Sequence, residues 1–335
     1  MQEEKILIIK FGGLGDIILS LDAIFSIYCH HKNNKIILLT EKPFKSILNK
    51  TGLFEEVLII KRSLFYLFDI KQIRKKTMSY NFSHVYDLQT SRRSSYYLKY
   101  FLNEGSITSG IGKYAKLNHL NSRRNFMHTI DRQKEQVELS NIKFSMMDDY
   151  NWLCDKNIDI PNSKFALIVP GGSKSRPYKR IPKLLYEKII KFLLKKKIKP
   201  ILIGSLDDKK ICSQLSLISK EILNLCTLTS IGQIFFLAKH SFFSVGNDTG
   251  PMHIIARANK KTLVFFTKFS DPKLCKPTGK DVEILKYPNN NSDFFLTIKK
   301  CFLGSLFELD LASTIITILF FITFSNYKVL EFYYL

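Results

Sequence analysis

The chain has 335 residues, of which 45% are hydrophobic and 24% charged, a balance that excludes an intrinsically disordered protein. At about 150 residues per domain, this length predicts two domains. Lys and Arg number 51 against 29 Asp and Glu, so the formal net charge is +22. Two interpretations of the charge stay open. It attracts an anionic partner such as phosphorylated lipid headgroups or nucleic acid, or it reflects a coding bias in a chain rich in Lys, Ile, Asn and Phe.

The cysteines and the apolar runs predict the setting of the protein. Six scattered cysteines without a C-x-x-C pair indicate reduced thiols, a cytosolic setting and no metal site. The N-terminus lacks a basic region followed by a long apolar run, so we expect no signal peptide. The apolar stretch at 311–324 is shorter than the ~20 residues that a membrane span needs. We expect a buried C-terminal helix there, packed back on the N-terminal domain, with an interfacial helix as the alternative.

The first half alternates short apolar runs with helical segments. A helix is predicted from Asp16 to about residue 28, where apolar residues recur at helical spacing. Uninterrupted apolar strands separated by helices are typical of a parallel sheet covered on both faces. The predicted strands are 5–10, 35–40, 56–60, 83–88 and 106–111.

The same order restarts after Pro161, with a helix at 183–197. A polar segment at about 148–163 indicates a linker, so we predict an N-terminal Rossmann-like domain at 1–155 and a C-terminal one at 156–335. Ligands in such sheets bind at the carboxyl ends of the strands, which predicts a cleft between the domains. The predicted strands are 164–169, 200–204, 241–245 and 261–266.

The first motif is F-G-G-L-G-D-I at 11–17, directly after the first strand. Its glycines permit a tight turn and bring the N–H groups of Gly13 and Gly15 towards a ligand. Asp16 either caps the helix or faces the cleft. Ile18 stands where a G-x-G-x-x-G fingerprint has its third glycine, and Asp16 would repel a pyrophosphate. We therefore predict that the first half does not hold a nucleotide.

The second motif is V-P-G-G-S-K-S-R-P-Y-K-R-I-P at 169–182, between a strand and a helix. It combines glycines, the hydroxyls of Ser173 and Ser175, and several cations including Lys179. This mixture favours a phosphate site, with a solvated basic loop as the alternative.

The third motif is G-N-D-T-G-P-M-H at 246–253, where a strand passes into a helix. The N–H groups of Thr249 and Gly250 at the helix start would face a diphosphate. Asp248 either caps the helix or binds sugar hydroxyls. His253, one turn further on, either faces the same ligand or is a packed structural residue.

Together and in this order, the three motifs resemble the ADP-heptose:lipopolysaccharide heptosyltransferases of glycosyltransferase family 9. The resemblance covers about residues 5–270, includes the stretch Y-D-L-Q at 86–89, and is most specific in D-T-G-x-x-H. Ile181 departs from it, because the family usually has Trp there. The resemblance implies an α/β protein with the GT-B fold, in which two Rossmann-like domains with mostly parallel sheets face each other across a cleft. The acceptor would lie on the N-terminal side and the nucleotide-sugar on the C-terminal side.

The resemblance also implies an inverting sugar transfer with an ADP-sugar as donor substrate and neither a metal nor a cofactor. Asp16 would be the general base on the acceptor hydroxyl. Lys179, with the amides of Thr249 and Gly250, would stabilise the leaving diphosphate, and Asp248 would hold the donor sugar. The other expected donor contacts are Ser173 or Ser175, Asp207 or Asp208 for the ribose, Leu228 and Thr229 for the adenine, and His253.

An anionic glycolipid is the expected acceptor, held at Gly13, Gly15 and a set of arginines on the N-terminal side. The expected setting is the cytoplasm, peripheral to an inner membrane whose surface attracts the chain electrostatically, with no nucleic-acid partner. Lysines on the predicted helix at 183–197 are instead assigned to its solvated face. The candidate arginines are Arg92, Arg93, Arg123 and Arg124.

Two other functions compete with this interpretation. A GT-B-like sugar-nucleotide epimerase would turn over the donor without any acceptor. A non-catalytic basic protein on a membrane or RNA would keep its function after Asp16→Asn, which removes a general base.

Overall fold

The computed structural model describes residues 3–287 together with Ile298. Both of its sheets belong to one compact unit that ends at Lys286. The expected helix at 311–324 lies outside the described residues, and the domain boundary at 155/156 stays a prediction.

The first sheet has six parallel strands in the order β3-β2-β1-β4-β5-β6. Its central strand β1, with the sequence KILII, is buried from Ile6 to Ile9, as expected for a strand covered on both faces. The strands are β1 (Lys5–Ile9), β2 (Lys35–Thr40), β3 (Glu56–Ile59), β4 (Phe82–Asp87), β5 (Ile107–Gly110) and β6 (Leu117–Asn118).

The second sheet also has six parallel strands, in the order β12-β11-β10-β7-β8-β9. Numbered from its own first strand, this order is the same as that of the first sheet, and both match the Rossmann arrangement. The strands are β7 (Phe165–Val169), β8 (Lys199–Leu202), β9 (Leu223–Asn224), β10 (Phe243–Asn247), β11 (Thr262–Phe266) and β12 (Val282–Lys286).

Helices connect the strands and cover the sheets. The predicted helices at 16–28 and 183–197 are confirmed as α1 and α6, with slightly different ends. The helices are α1 (Leu14–His30), α2 (Lys45–Asn49), α3 (Tyr66–Thr77), α4 (Arg92–Asn103), α5 (Thr129–Glu138), α6 (Lys183–Lys195), α7 (Lys209–Ser216), α8 (Ile231–His240), α9 (Gly250–Ala256) and α10 (Pro272–Cys275).

Three strands, β6, β9 and β12, had no counterpart in the sequence predictions. All three lie at an edge of their sheet, and β6 and β9 have only two residues each. An edge strand needs no apolar run on both faces, so these segments lack the pattern that identified the central strands. The α/β class with parallel sheets is confirmed.

The fold creates two points where ligands are expected. In each sheet the strand order reverses between the first and fourth strands, which are β1 and β4 in one sheet and β7 and β10 in the other. Ligands in open α/β sheets bind outside the carboxyl ends of the strands at such a switch point. The first motif follows β1, the second follows β7 and the third follows β10, so all three lie at switch points.

Candidate active site

The N-termini of α1 and α9 pack against each other at very close range. A Cβ atom added to Gly15 would lie 2.7 Å from Cδ2 of His253, and one added to Gly250 would lie 2.8 Å from Cβ of Leu14. Real Cβ atoms do not approach other atoms so closely, so both positions need glycine. These two glycines allow the loop after β1 and the loop after β10 to meet.

A cavity of about 420 Å³ opens where these loops meet the loop after β7. This volume lies in the range typical of sites for small ligands. The cavity thus joins residues from all three motifs. The candidate residues that line it are Gly13, Gly15, Asp16, Ser173, Ser175, Lys179, Asp248, Thr249, Gly250 and His253.

Asp16 is exposed and lines this cavity at the start of α1. Its Oδ2 atom accepts a hydrogen bond from the backbone N–H of Gly13, the N-cap residue, at 3.3 Å. This contact is one half of a capping box and engages one carboxylate oxygen. Asp16 can therefore cap the helix and still present Oδ1 to a bound hydroxyl, so the two roles considered from the sequence do not exclude each other.

Two buried ionisable groups lie at the first switch point, and the sequence predictions assigned neither to the site. Lys10 directly follows β1, and Asp87 is the last residue of β4. Burial lowers the pKa of Lys10 to about 8, and the nearby carboxylates of Asp16 and Asp87 partly oppose this shift. Burial likewise raises the pKa of Asp87 to about 6. A charged residue at the carboxyl end of an apolar strand is the sequence signal that could have identified both.

Lys179 and Asp248 form an ion pair across the cavity. The Lys179 ammonium donates to Oδ2 of Asp248 at 2.7 Å and to the Ser270 hydroxyl at 3.1 Å. The Ser270 hydroxyl in turn donates to the same Oδ2 atom at 2.5 Å. Ser270 lies after β11, the strand next to β10, and was not predicted. Its position beyond the carboxyl end of that strand is the signal that could have found it.

Asn247, at the end of β10, holds the loop after β7 in place. Its side chain is fully buried, and its Nδ2 donates to the carbonyls of Pro170 at 2.8 Å and Gly171 at 2.9 Å. Its Oδ1 accepts from the backbone N–H of Ile181 at 3.1 Å and the hydroxyl of Tyr186 at 2.9 Å. Both polar atoms of the amide therefore have hydrogen-bond partners within the protein, as a buried amide requires. We infer that Asn247 positions the loop and does not contact a ligand.

The two adjacent carboxylates predicted for the ribose differ in their surroundings. Asp208 is buried, and its Oδ1 accepts from the N–H of Gly172 at 2.9 Å. Its Oδ2 accepts from the N–H and the hydroxyl of Ser205, at 2.9 and 2.8 Å, and Arg180 lies 3.5 Å from its Oδ1. Asp207 is exposed to solvent. The structure therefore separates two residues that the sequence left equivalent.

The remaining candidates for donor binding lie in or beside the loops that follow β7 and β8. The hydroxyls of Ser173 and Ser175 are 2.8 Å apart, and both residues are exposed. The N–H of the residue before Leu228 donates to the carbonyl of Gly204 at 2.9 Å. Leu228 and Thr229 are thus held beside the loop after β8, the same loop that carries Asp207, although they do not line the cavity.

His253 is buried at the crossing of α1 and α9. Burial lowers its pKa to about 4, and the carboxylates of Asp248 and Asp16 oppose the shift only in part. The imidazole is therefore neutral near pH 7. Its Nδ1 atom is buried with no hydrogen-bond partner in the part of the chain that the structure describes. The ring edge lies against Gly15, which indicates a packing role, and the residue also lines the cavity.

The four arginines proposed for the acceptor fall into two groups. Arg93 forms an ion pair with buried Asp69 at 2.5 Å. Arg124 is buried, donates from Nε to Nδ1 of His119 at 3.1 Å, and has a pKa that burial lowers to about 10. Both guanidinium groups are thus already paired with other side chains of the protein. The two that are exposed are Arg92 and Arg123.

Between residues 3 and 287, His, Cys, Asp and Glu side chains form no cluster of three or more that could bind a metal ion. Over the described residues, no helix has both the length and the apolar character needed to cross a membrane. The five cysteines within this range are free thiols.

Comparison with solved structures identifies the fold. The ADP-heptose lipopolysaccharide heptosyltransferase II of E. coli matches with a TM-score of 0.72 and 15% identity, over 91% of this chain and 99% of that chain. The E. coli heptosyltransferase WaaC, solved with ADP, matches with a TM-score of 0.71 and 17% identity, over 90% and 99%. A family 9 glycosyltransferase from Veillonella parvula DSM 2008 gives 0.66 and 15%, over 85% and 86%. The shared fold confirms the predicted GT-B arrangement.

Comparison of the sequence with protein families identifies the family. No curated protein matches the chain. Residues 70–299, more than half of the chain, match glycosyltransferase family 9 (heptosyltransferase). The fold and the cavity that joins the three motifs agree with this match. The chain therefore belongs to glycosyltransferase family 9 and is a glycosyltransferase.

Proposed function

We propose that this glycosyltransferase moves a heptose or a related sugar from an ADP-sugar to a lipopolysaccharide inner-core type acceptor, with inversion at the anomeric carbon. One observation carries the proposal. Asp16, from the N-terminal half, and the Lys179–Asp248 pair, from the C-terminal half, line one cavity. A base and a diphosphate-binding cation thus lie in the same cavity, where a sugar between acceptor and nucleotide would need them.

Asp16 is the proposed general base. As the acceptor oxygen attacks the anomeric carbon, its proton passes to the Asp16 carboxylate, and the bond from the anomeric carbon to the diphosphate breaks. The electron pair of that bond leaves with the ADP. Gly12, at φ +114°, forms the turn that places the start of α1 in the cavity wall. Gly13 leaves the space beside Oδ2 of Asp16 free of a side chain, and Gly15, which lines the same cavity, allows α1 to pack on His253.

Lys179 is the proposed cation for the leaving diphosphate. An ammonium group has three donor hydrogens, and within the described residues two of them meet Asp248 and Ser270. The third remains for a phosphate oxygen. The ion pair holds the ammonium in position before the nucleotide arrives, which reduces the entropy that binding must remove. We propose that the amides of Thr249 and Gly250 share this task at the start of α9.

The other donor contacts follow from the burial of the candidates. We propose Asp207 for the ribose hydroxyls, since its carboxylate is exposed whereas that of Asp208 is engaged by the protein. Leu228 and Thr229, on the adjacent segment, are proposed for the adenine. Asp248 is proposed to accept hydrogen bonds from hydroxyls of the donor sugar. We propose no metal and no cofactor, because Lys179 supplies the positive charge at the diphosphate.

An anionic glycolipid is the proposed acceptor. The exposed arginines Arg92 and Arg123 are its proposed first contacts, and Arg93 and Arg124 act by shaping the surface around them. We propose that the protein works in the cytoplasm at the surface of the inner membrane, attracted there by its net charge of +22, and that it does not bind nucleic acid.

The test is a comparison of donors. Thermal-shift titrations with ADP-, UDP- and GDP-sugars should show stabilisation by the ADP-sugar above the others. Incubation of ADP-heptose with a lipopolysaccharide-type acceptor should release ADP and lengthen the acceptor, and incubation without acceptor should leave the donor unchanged. Preference for a UDP-sugar would contradict the heptose assignment, and turnover of the donor alone would favour an epimerase.

A further inference from the structure

A patch of large apolar side chains projects from the N-terminal half into solvent. Its members are exposed by 95% at Leu64, 67% at Phe65, 75% at Leu67 and 59% at Phe68. They occupy the loop after β3 and the first turn of α3. Four adjacent side chains of this size, exposed together, mark a binding surface more often than a neutral feature of a soluble protein. We call these four residues the 64–68 patch.

The structure holds the base of the patch firmly. The buried carboxylate of Asp69 accepts from the N–H of Ser63 at 2.9 Å and also binds the hydroxyl of Tyr97 and the guanidinium of Arg93. Tyr66, between the exposed pairs, stacks on Tyr97 with ring centroids 5.8 Å apart. The apolar side chains are therefore carried on an ordered backbone, so a partner that buries them has little backbone entropy to remove.

The segment that carries the patch is positively charged. Asp69 is the only acidic residue from 61 to 80, and it is buried. The segment thus combines exposed apolar side chains with cations and has no exposed carboxylate. This combination matches the surface of an anionic bilayer, because the acyl region accepts the apolar side chains and the headgroups attract the cations. The exposed cations of the segment are Lys61, Lys71, Arg74, Lys75 and Lys76.

The patch lies beside the proposed active site. It follows β3, whose carboxyl end is at the same edge of the parallel sheet as that of β1. Arg62, two residues before the patch, places its guanidinium 5.2 Å from the ring centroid of Phe11, next to Gly12 in the turn that leads to Asp16. A bilayer that binds the patch would therefore lie close to the acceptor side of the cavity.

We propose that the 64–68 patch inserts into the interface of an anionic phospholipid bilayer, with the flanking cations on its headgroups, and so brings the cavity to a membrane-embedded acceptor. The inference deepens the proposed function and rests on it for the location of the acceptor. The chemistry of the patch identifies the bilayer itself as the partner, independently of which sugar is transferred.

Vesicle binding of the full chain tests this proposal with a matched pair of variants. Leu64→Ser with Leu67→Ser should weaken binding to vesicles of phosphatidylglycerol and phosphatidylcholine by at least about tenfold. The control is Leu184→Ser with Leu217→Ser, two leucines exposed by 56% and 86% in the C-terminal half, which should bind as the unmodified chain does. All four positions are exposed, so a thermal melt should show that each variant folds.

Charge reversal provides the second arm. Lys71→Glu, Arg74→Glu and Lys75→Glu together should weaken vesicle binding by about a hundredfold and abolish much of its salt dependence. The same three-charge reversal at Lys188, Lys191 and Lys195, all exposed on α6, is the control and should have a clearly smaller effect. Vesicles of phosphatidylcholine alone should bind the unmodified chain only weakly.

Several results would overturn the proposal. Equal loss of binding in the charge-reversal variant and its α6 control would assign the interaction to net charge and not to the patch. Equal loss in the two leucine variants would show that the patch is not the surface that inserts. Unchanged vesicle binding in the leucine test variant, together with loss of a dimer in sedimentation velocity, would assign the patch to self-association. Transfer to a water-soluble acceptor fragment separates this proposal from the proposed function. The patch variants should retain that transfer, whereas its absence in the unmodified chain would contradict the transferase assignment and leave the vesicle result standing.

Discussion

The close contact between Gly15 and His253 gives a prediction whose size can be worked out from the structure. A Cβ atom at Gly15 would lie 2.7 Å from Cδ2 and 2.8 Å from Nε2 of the imidazole, whereas carbon atoms normally stay about 3.5–4.0 Å apart. His253 is only 5% exposed, so its ring cannot move into solvent without disturbing the crossing of α1 and α9. Overpacking of this kind costs about 1–3 kcal/mol of the free energy of unfolding.

Two effects determine the net result of Gly15→Ala. Alanine favours a helix over glycine by about 0.5–1 kcal/mol, which offsets part of the clash. The net destabilisation should therefore be about 1–2 kcal/mol in the unmodified chain. In a His253→Ala background the clash is absent, and the same change should be neutral or stabilising. The interaction free energy between the two sites should exceed about 1 kcal/mol.

Chemical denaturation of the four proteins in this double-mutant cycle measures the effect. Gly13→Ala serves as the control, since a Cβ atom there would lie 3.6 Å from Oδ2 of Asp16 and would not reach His253. Its cost should be the same in both backgrounds. An equal cost of Gly15→Ala with and without the imidazole would refute the packing argument.

Three further predictions concern buried or adjacent charges. Because the folded chain keeps the Asp87 proton up to about pH 6 and the unfolded chain loses it near pH 3.8, the ionised carboxylate costs the folded state up to about 3 kcal/mol above pH 6. Asp87→Asn should thus stabilise the chain at pH 7.5 but not at pH 3.5. An equal effect at both pH values would contradict a raised pKa for Asp87 in the folded chain. Asp207→Asn should raise the KM for the ADP-sugar several-fold without lowering the melting temperature, whereas Asp208→Asn should lower it; the reverse pattern would exchange their roles. Arg257→Leu should cost about 3–5 kcal/mol, because it leaves buried Asp22, 2.9 Å away, without its ion pair. Asp22→Leu in addition should recover much of this loss, and strictly additive costs in urea denaturation would rule out the pairing.

The sequence predicted the parts of the fold that depend on local pattern. Central strands such as β1 and β10 are apolar on both faces, and this leaves a continuous hydrophobic run. Glycine-rich turns directly after strands identified the three loops of the cavity. Short edge strands such as β6 carry no such run, which explains why they were missed.

Contacts between segments that are distant along the chain could not be predicted from the sequence. Arg93 looked like an acceptor contact, but Asp69, 24 residues earlier, engages it in an ion pair. Asp207 and Asp208 are equivalent in sequence, and only the position of Gly172 and Ser205 makes one of them structural. The burial of Lys10 likewise depends on the packing of β1 among its neighbours. In each case tertiary packing, and not the local pattern, decides the role.

The charge of +22 is divided between surfaces with different expected roles. Lys188, Lys191 and Lys195 lie on the exposed face of α6, and we assign no ligand to them. Lys179 is committed to the cavity through its pair with Asp248. The cations around the 64–68 patch form a third group, for which the structure offers apolar neighbours that the α6 lysines lack.

The central claim is that Asp16 removes the acceptor proton. The most direct measurement is the kcat of Asp16→Asn with ADP-heptose and acceptor, together with the Kd for the donor. The asparagine keeps the size and the capping oxygen but cannot take a proton at neutral pH. If Asp16 is the base, kcat should fall by about 100-fold or more with little change in donor affinity. A kcat close to that of the unmodified enzyme would show that another group is the base and would contradict the role proposed for Asp16.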